Sequence, residues 1–206
     1  MDYEEKMMVV KKNESERAVI ILHEIYGINQ YIMELADFFY EQGYDTYCLD
    51  LNHRENCFSY SEQEEAYAYF KTKIGFEVAK EVESFIKKLG SEYNHVIVFG
   101  SSVGATIAWR LSENRYCSGM IGFYGSRIRD YLEVDPDCPC LLLFAEDEEA
   151  FCVDDIVFQL RKKKDVRAAV LKGKHGFGDR YAENYHIDSS KLAFDMVECF
   201  LKEIEE

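Results

Sequence analysis

His95-Val-Ile-Val-Phe-Gly100-Ser-Ser102-Val-Gly104-Ala-Thr-Ile-Ala-Trp-Arg110 is the stretch that decides the fold. Its opening run is apolar and β-branched, as a buried strand requires, and the residues after Gly104 suit an amphipathic helix. Between them lies G-x-S-x-G, with a glycine two residues before and two residues after Ser102. On a tight strand-to-helix turn, side chains at those two positions would clash, so glycine there lets the turn close. The Ser102 hydroxyl then stands at the carboxyl end of a strand, against the positive end of a helix. That is a setting for a nucleophile. Ser101 is excluded, because the spacing puts Ser102 between the glycines.

Outward from this stretch the apolar pattern alternates in type. Short aliphatic runs at 7–10, 17–22, 44–48, 119–123, 140–145 and 166–171 join 95–99 as expected strands. Segments of 3.6-residue periodicity at 29–42, 61–89, 103–113, 153–164 and 189–203 are the expected helices. The helix over 61–89 has Ile74, Val78, Val82 and Ile86 four apart and stops before Gly90. Strands alternating with helices predict an α/β fold, a mostly parallel twisted sheet with helices on both faces. The polar turn 11–16 between the first two strands predicts an antiparallel hairpin at its start. No repeat or Pro-rich linker divides the chain, so residues 1–206 are read as one domain without a separate cap.

Composition narrows the partners. With 24 basic against 39 acidic side chains the net charge is −15, which argues against nucleic acid and against an anionic membrane. No apolar run approaches the length of a membrane span. The N-terminus lacks a basic, apolar leader, and seven cysteines without a C-x-x-C pair fit free thiols in a reducing compartment. A cytoplasmic location is therefore expected. His23-Glu24 has no histidine four residues after His23, so it is not a zincin helix, and no metal site is expected.

The central stretch resembles the nucleophile elbow of the α/β-hydrolases. In that fold the chain order is serine, acid, histidine, each on a loop after a strand. The strand at 140–145 runs into Glu146-Asp147-Glu148-Glu149, and the strand at 166–171 into Lys172-Gly-Lys-His175-Gly-Phe-Gly. Either run alone would pass for a solvated loop; in this order behind an elbow they read as acid and base. His95 opens the nucleophile's own strand at the wrong end, His53 and His186 lie in polar surroundings, and His23 ends an early strand. None follows the acidic loop, which leaves His175.

Three further segments resemble the dienelactone hydrolase family, and the resemblance covers nearly the whole chain. Ile20-Ile-Leu-His-Glu-Ile-Tyr-Gly-Ile-Asn29 is similar to its H-E-x-x-G-x-N segment. Leu35-Ala36, Gly43-Tyr44 and Leu49-Asp50-Leu51 are similar to its L-A…G-Y…P-D-L run. His175-Gly-Phe177 with Arg180 and Tyr181 is similar to its H-G-F…R…Y loop. The resemblance implies Ser102 as nucleophile, His175 as general base and Asp147, rather than Glu146 or Glu148, as the triad acid. It implies an oxyanion hole from the backbone N–H groups of Ile25 and Val103. Glu24 is implied as the nucleophile's resting partner, His23 as an organiser of the oxyanion loop, and Arg180 and Tyr26 as substrate contacts, with Arg54 as a second arginine. Serine here replaces the family's usual cysteine, Ala105 replaces a glycine, and the proline before Asp50 is missing.

These readings predict hydrolysis of a small-molecule ester, thioester or lactone through an acyl-enzyme, with no cofactor, by a monomer or homodimer. The alternative is a catalytically silent small-molecule binding protein on the same fold. A nucleotide-binding reading is weaker, because Gly173-x-x-Gly176-x-Gly178 reverses the usual glycine spacing and no Walker lysine occurs. Six carboxylates within residues 146–155 are expected to ring the cleft and to disfavour anionic substrates.

Overall fold

Strand β2 (Arg17–Leu22) sets the layout, because Ala18 through Leu22 are wholly buried and both of its edges are paired. The computed structural model describes residues 8–204. The N-terminal residues read above, Met7 of the first expected strand included, lie outside the described residues. Around β2 are β1 (Met8–Lys11), β3 (Asp45–Leu49), β4 (His95–Ser101), β5 (Gly119–Phe123), β6 (Cys140–Asp147) and β7 (Val166–Lys174). They form one seven-stranded sheet in the order β1-β3-β2-β4-β5-β6-β7, parallel except where β1 meets β3.

The two-residue alternation of a strand divides the core into two layers. Ala18, Ile20 and Leu22 face one side, where α3 (Ala79–Leu89), α4 (Val103–Leu111) and α5 (Val153–Leu160) pack. Val19 and Ile21 face the other, covered by α1 (Gln30–Glu41) and α6 (Ile187–Ile204). Strands buried on both faces need apolar residues throughout, which is why the runs read as continuous rather than alternating. The expected α/β-hydrolase architecture is present.

Two expectations fail. The hairpin does not form: β1 pairs antiparallel with β3, and β3 lies between β1 and β2. An apolar strand such as β2 is stable only with neighbours on both edges, whereas the half-exposed β1 suits a sheet edge. The connection crosses the start of β3, where the amides of Asn13 and Ser15 donate to Asp45 Oδ1 at 2.6 and 3.3 Å. Burial opposes ionisation of Asp45, but the Tyr93 hydroxyl, those two amides and Lys12 outweigh it and hold its carboxyl below the ordinary value.

The long helix over 61–89 also breaks. It becomes α2 (Gln63–Tyr69), a π turn over Phe70–Ile74 and then α3, with Gly75 between at φ 65°. Residues with a Cβ avoid that conformation, and the Gly75 amide closes the turn on Phe70 O at 2.7 Å. Val78 just before α3, and Val82 and Ile86 on it, keep the apolar stripe. The part before the break becomes a strap across the carboxyl ends of the strands.

Candidate active site

The site is built where β4 meets α4. Ser102 has φ 54° and ψ −116°, a left-handed conformation that serine adopts only under constraint. Its amide donates to Phe123 O at 2.9 Å, which fastens the turn to β5. The two glycines are required by contact. A Cβ at Gly100 would lie 2.2 Å from Gly104 O, and one at Gly104 would lie 2.3 Å from Leu22 O.

His175 reaches Ser102 from the end of β7, on a loop turned by Gly173 (φ 106°) and Gly176 (φ 90°). Its Nε2 lies 2.9 Å from Ser102 Oγ, and its Nδ1 lies 2.7 Å from Glu148 Oε1. The Tyr124 ring meets the imidazole edge-to-face at 5.0 Å between centroids. The chain thus brings serine, histidine and a carboxylate into one relay, but the carboxylate is not that of Asp147. Asp147 is exposed and pairs in register with Lys174, whereas the Glu148 side chain is only 7% exposed. The cause is a register irregularity between Ala145 and Asp147, which interrupts the alternation of β6 and turns the following side chain toward His175.

Burial by itself would lower the His175 pKa. The hydrogen bond and charge of Glu148, with a smaller contribution from Glu24, outweigh it and raise the pKa above the ordinary 6.5. A histidine used as general base would work only when neutral, so activity that depends on His175 should be lost as pH falls through that raised value. The acid limb of kcat/KM is therefore expected to have its midpoint above 6.5. A midpoint below 6.5 in a pH–rate profile would show that desolvation wins instead.

Ile25, Val103, Glu24 and Tyr26 line the same cavity as Ser102 and His175. Val103 opens α4, and the amides of a first helical turn have no intrahelical acceptor. His23 is buried, with Nδ1 against Glu24 O and Nε2 accepting the Leu51 amide at 2.8 Å. In a planar trans peptide the Glu24 carbonyl and the Ile25 N–H point in opposite directions, so fixing one aims the other. The Asn52 side chain holds the next carbonyl, Ile25 O, at 3.0 Å. Glu24 is itself buried and accepts from Tyr124 Oη at 2.9 Å; burial raises its pKa, Asp179 adds to the rise and His175 opposes it.

The cavity holds about 430 Å³, and its wall includes five aromatic residues, Tyr67, Phe70, Phe76 and Tyr131 with Tyr26, among polar and charged ones. Arg180 is not among them. Its side chain is 61% exposed, pairs with Glu34 at 3.3 Å, and lines a separate groove with residues of α1 and α6. Arg54 also lies elsewhere, 4.1 Å above the Phe58 ring. None of the six carboxylates of 146–155 lines the cavity. The charged side chains on its wall are Lys71 and Arg127 against Glu24, Glu64 and Asp130; Arg127 is held by Asp130 at 3.0 Å and Tyr67 Oη at 3.3 Å, and Lys71 lies 5.0 Å over the Tyr67 ring.

Sequence reading missed Arg127, Lys71 and Tyr124. A signal existed for two of them, because Tyr124-Gly-Ser-Arg127 directly follows β5, and ligand crevices form at the carboxyl ends of parallel strands. Lys71 became legible only once the helix broke. Among the described residues, no group of three His, Cys, Asp or Glu is arranged to hold a metal ion, and no helix is long and apolar enough to cross a membrane.

Comparison with known proteins places the chain. The dienelactone hydrolase family profile matches residues 5–205. YczH, an uncharacterised protein of Bacillus subtilis (strain 168), is 36% identical over 165 residues, 78% of this chain and 80% of the relative. Among solved structures, a dienelactone hydrolase-like promiscuous phosphotriesterase, P91, from metagenomic libraries superposes with TM-score 0.74 at 14% identity, over 96% of this chain and 99% of that one. An alpha-beta serine hydrolase homologue from Coxiella burnetii gives TM-score 0.63 at 15% identity, over 90% and 88% of the two chains. At these identities the structural likeness speaks for the fold alone.

Proposed function

The chain belongs to the dienelactone hydrolase family and is a hydrolase of that type, and from that premise we propose that it cleaves an uncharged ester, thioester or lactone through an acyl-enzyme on Ser102. The observation that carries this reading is the contact of His175 Nε2 with Ser102 Oγ at 2.9 Å, with a buried carboxylate on the other ring nitrogen.

The steps follow from that geometry. His175 accepts the Ser102 proton as Oγ attacks the carbonyl carbon, and the amides of Ile25 and Val103 receive the oxyanion. His175 then returns the proton to the leaving alcohol or thiol, and water repeats the sequence to release the acid. Glu148 holds the Nδ1 proton and stabilises the imidazolium. A serine hydroxyl is far less acidic than a thiol, so it depends on His175 for activation where a cysteine would ionise more readily. The aromatic residues of the wall favour an apolar ring or chain on the substrate, and with Glu24, Glu64 and Asp130 set against Lys71 and Arg127 the wall offers a carboxylate no net attraction.

A fluorophosphonate probe tests this directly, because it is attacked by an activated serine and traps it. The folded protein should label at one site, with the adduct on the peptide containing Ser102. A folded protein that does not label would overturn the assignment and favour a silent binding protein.

A further inference from the structure

The loop after His175 carries a second buried acid, which the steps above do not use. Asp179 is 1% exposed, four residues beyond His175. Its Oδ1 accepts the Tyr181 amide at 2.9 Å, and its Oδ2 accepts the hydroxyl proton of Tyr60. Tyr60 opens the strap that covers the cavity. The same phenol oxygen accepts from Asn29 Nδ2 at 3.0 Å, and Asn29 Oδ1 caps α1 by accepting the Ile32 amide at 3.1 Å. Asn29 closes the loop that begins at Ile25. The Tyr60 ring also packs on Tyr26, with centroids 4.8 Å apart, and the neighbouring Phe58 amide donates to Tyr26 O at 2.9 Å.

Three segments far apart in sequence therefore meet at one phenol oxygen. One carries the amide of Ile25, one carries His175, and one is the strap between them. None of Asn29, Tyr60 or Asp179 lines the cavity, so their bonds cannot contribute to holding a substrate directly. What they fix is the spacing between two loops, and a misplacement of about 1 Å at a reacting centre can cost about 10²-fold in rate. We propose that Tyr60 is a positioning residue for the reaction, its hydroxyl joining Asp179 to Asn29 and so holding the oxyanion-bearing loop in register with His175. The inference rests on the serine-hydrolase reading of the site.

Steady-state hydrolysis of p-nitrophenyl butyrate and the rate of fluorophosphonate labelling, measured on the full chain, test it together. Tyr60→Phe keeps the ring on Tyr26 and removes only the hydroxyl. It should lower kcat roughly tenfold and slow labelling by a similar factor, with KM within about twofold, since geometry rather than binding is lost. Asn29→Ser keeps an oxygen to cap α1 but does not reach Tyr60, so kcat should fall by about threefold. The double variant should be no slower than Tyr60→Phe alone, because both changes break one chain of bonds. A wild type that labels beside a Tyr60→Phe variant with kcat within twofold overturns the inference only, as do multiplicative losses in the double variant. A wild type that does not label overturns the serine reading and this inference with it.

Discussion

Ser102→Ala is expected to lower kcat for an uncharged aryl ester by about 10⁵–10⁶-fold while leaving the fold intact. The size follows from the way a nucleophile and its base act as one unit: removing either removes the covalent path, and the remaining rate comes from oriented amides and binding alone. The substitution takes away one oxygen on a turn already shaped by Gly100 and Gly104. Alanine meets the same left-handed φ of 54° as serine does, so the strain of the turn is unchanged and the melting temperature should hardly move. Active-site titration followed by steady-state assay checks this. A Ser102→Ala protein within tenfold of wild type would place the chemistry elsewhere.

The second large effect separates two adjacent acids. Glu148→Gln is expected to lower kcat by about 10³–10⁴-fold, whereas Asp147→Asn should leave it within about twofold. Glu148 contacts Nδ1 at 2.7 Å, where a carboxylate can only accept, and this keeps the proton on Nδ1 and the lone pair of Nε2 toward Ser102. A glutamine there can donate through its amide, favour the opposite tautomer and leave the imidazolium without a counter-charge. The exposed Asp147 makes no contact of this kind with the ring. Equal losses in the two variants would mean that the negative charge of the loop matters and the contact does not.

Much of the fold was legible in particular residues. The elbow was readable because Gly100 and Gly104 answer a local demand, a turn that closes only without Cβ atoms, and local demands are written within a few residues. The same holds for the His175 loop with its positive-φ glycines, and for the buried runs of β2, β4 and β6. The break at Gly75 was hidden because α3 keeps the apolar spacing of the residues before it, so periodicity ran through an interruption that is set by the backbone conformation of one glycine. The position of β1 was hidden because a short turn fits a hairpin as readily as a crossing over β3.

By itself, then, the sequence determined the class of fold, the serine presented at the carboxyl end of a strand and the histidine loop that follows in chain order. Tertiary structure decided which of four neighbouring carboxylates meets that histidine, that Arg180 pairs with Glu34 while Arg127 lines the cavity, and that Tyr60 joins two loops. The physical reason is range. Backbone conformation and amphipathic period depend on near neighbours in the chain. The direction of a side chain beyond a strand irregularity, and the partner it finds, depend on segments that meet only after the sheet has assembled.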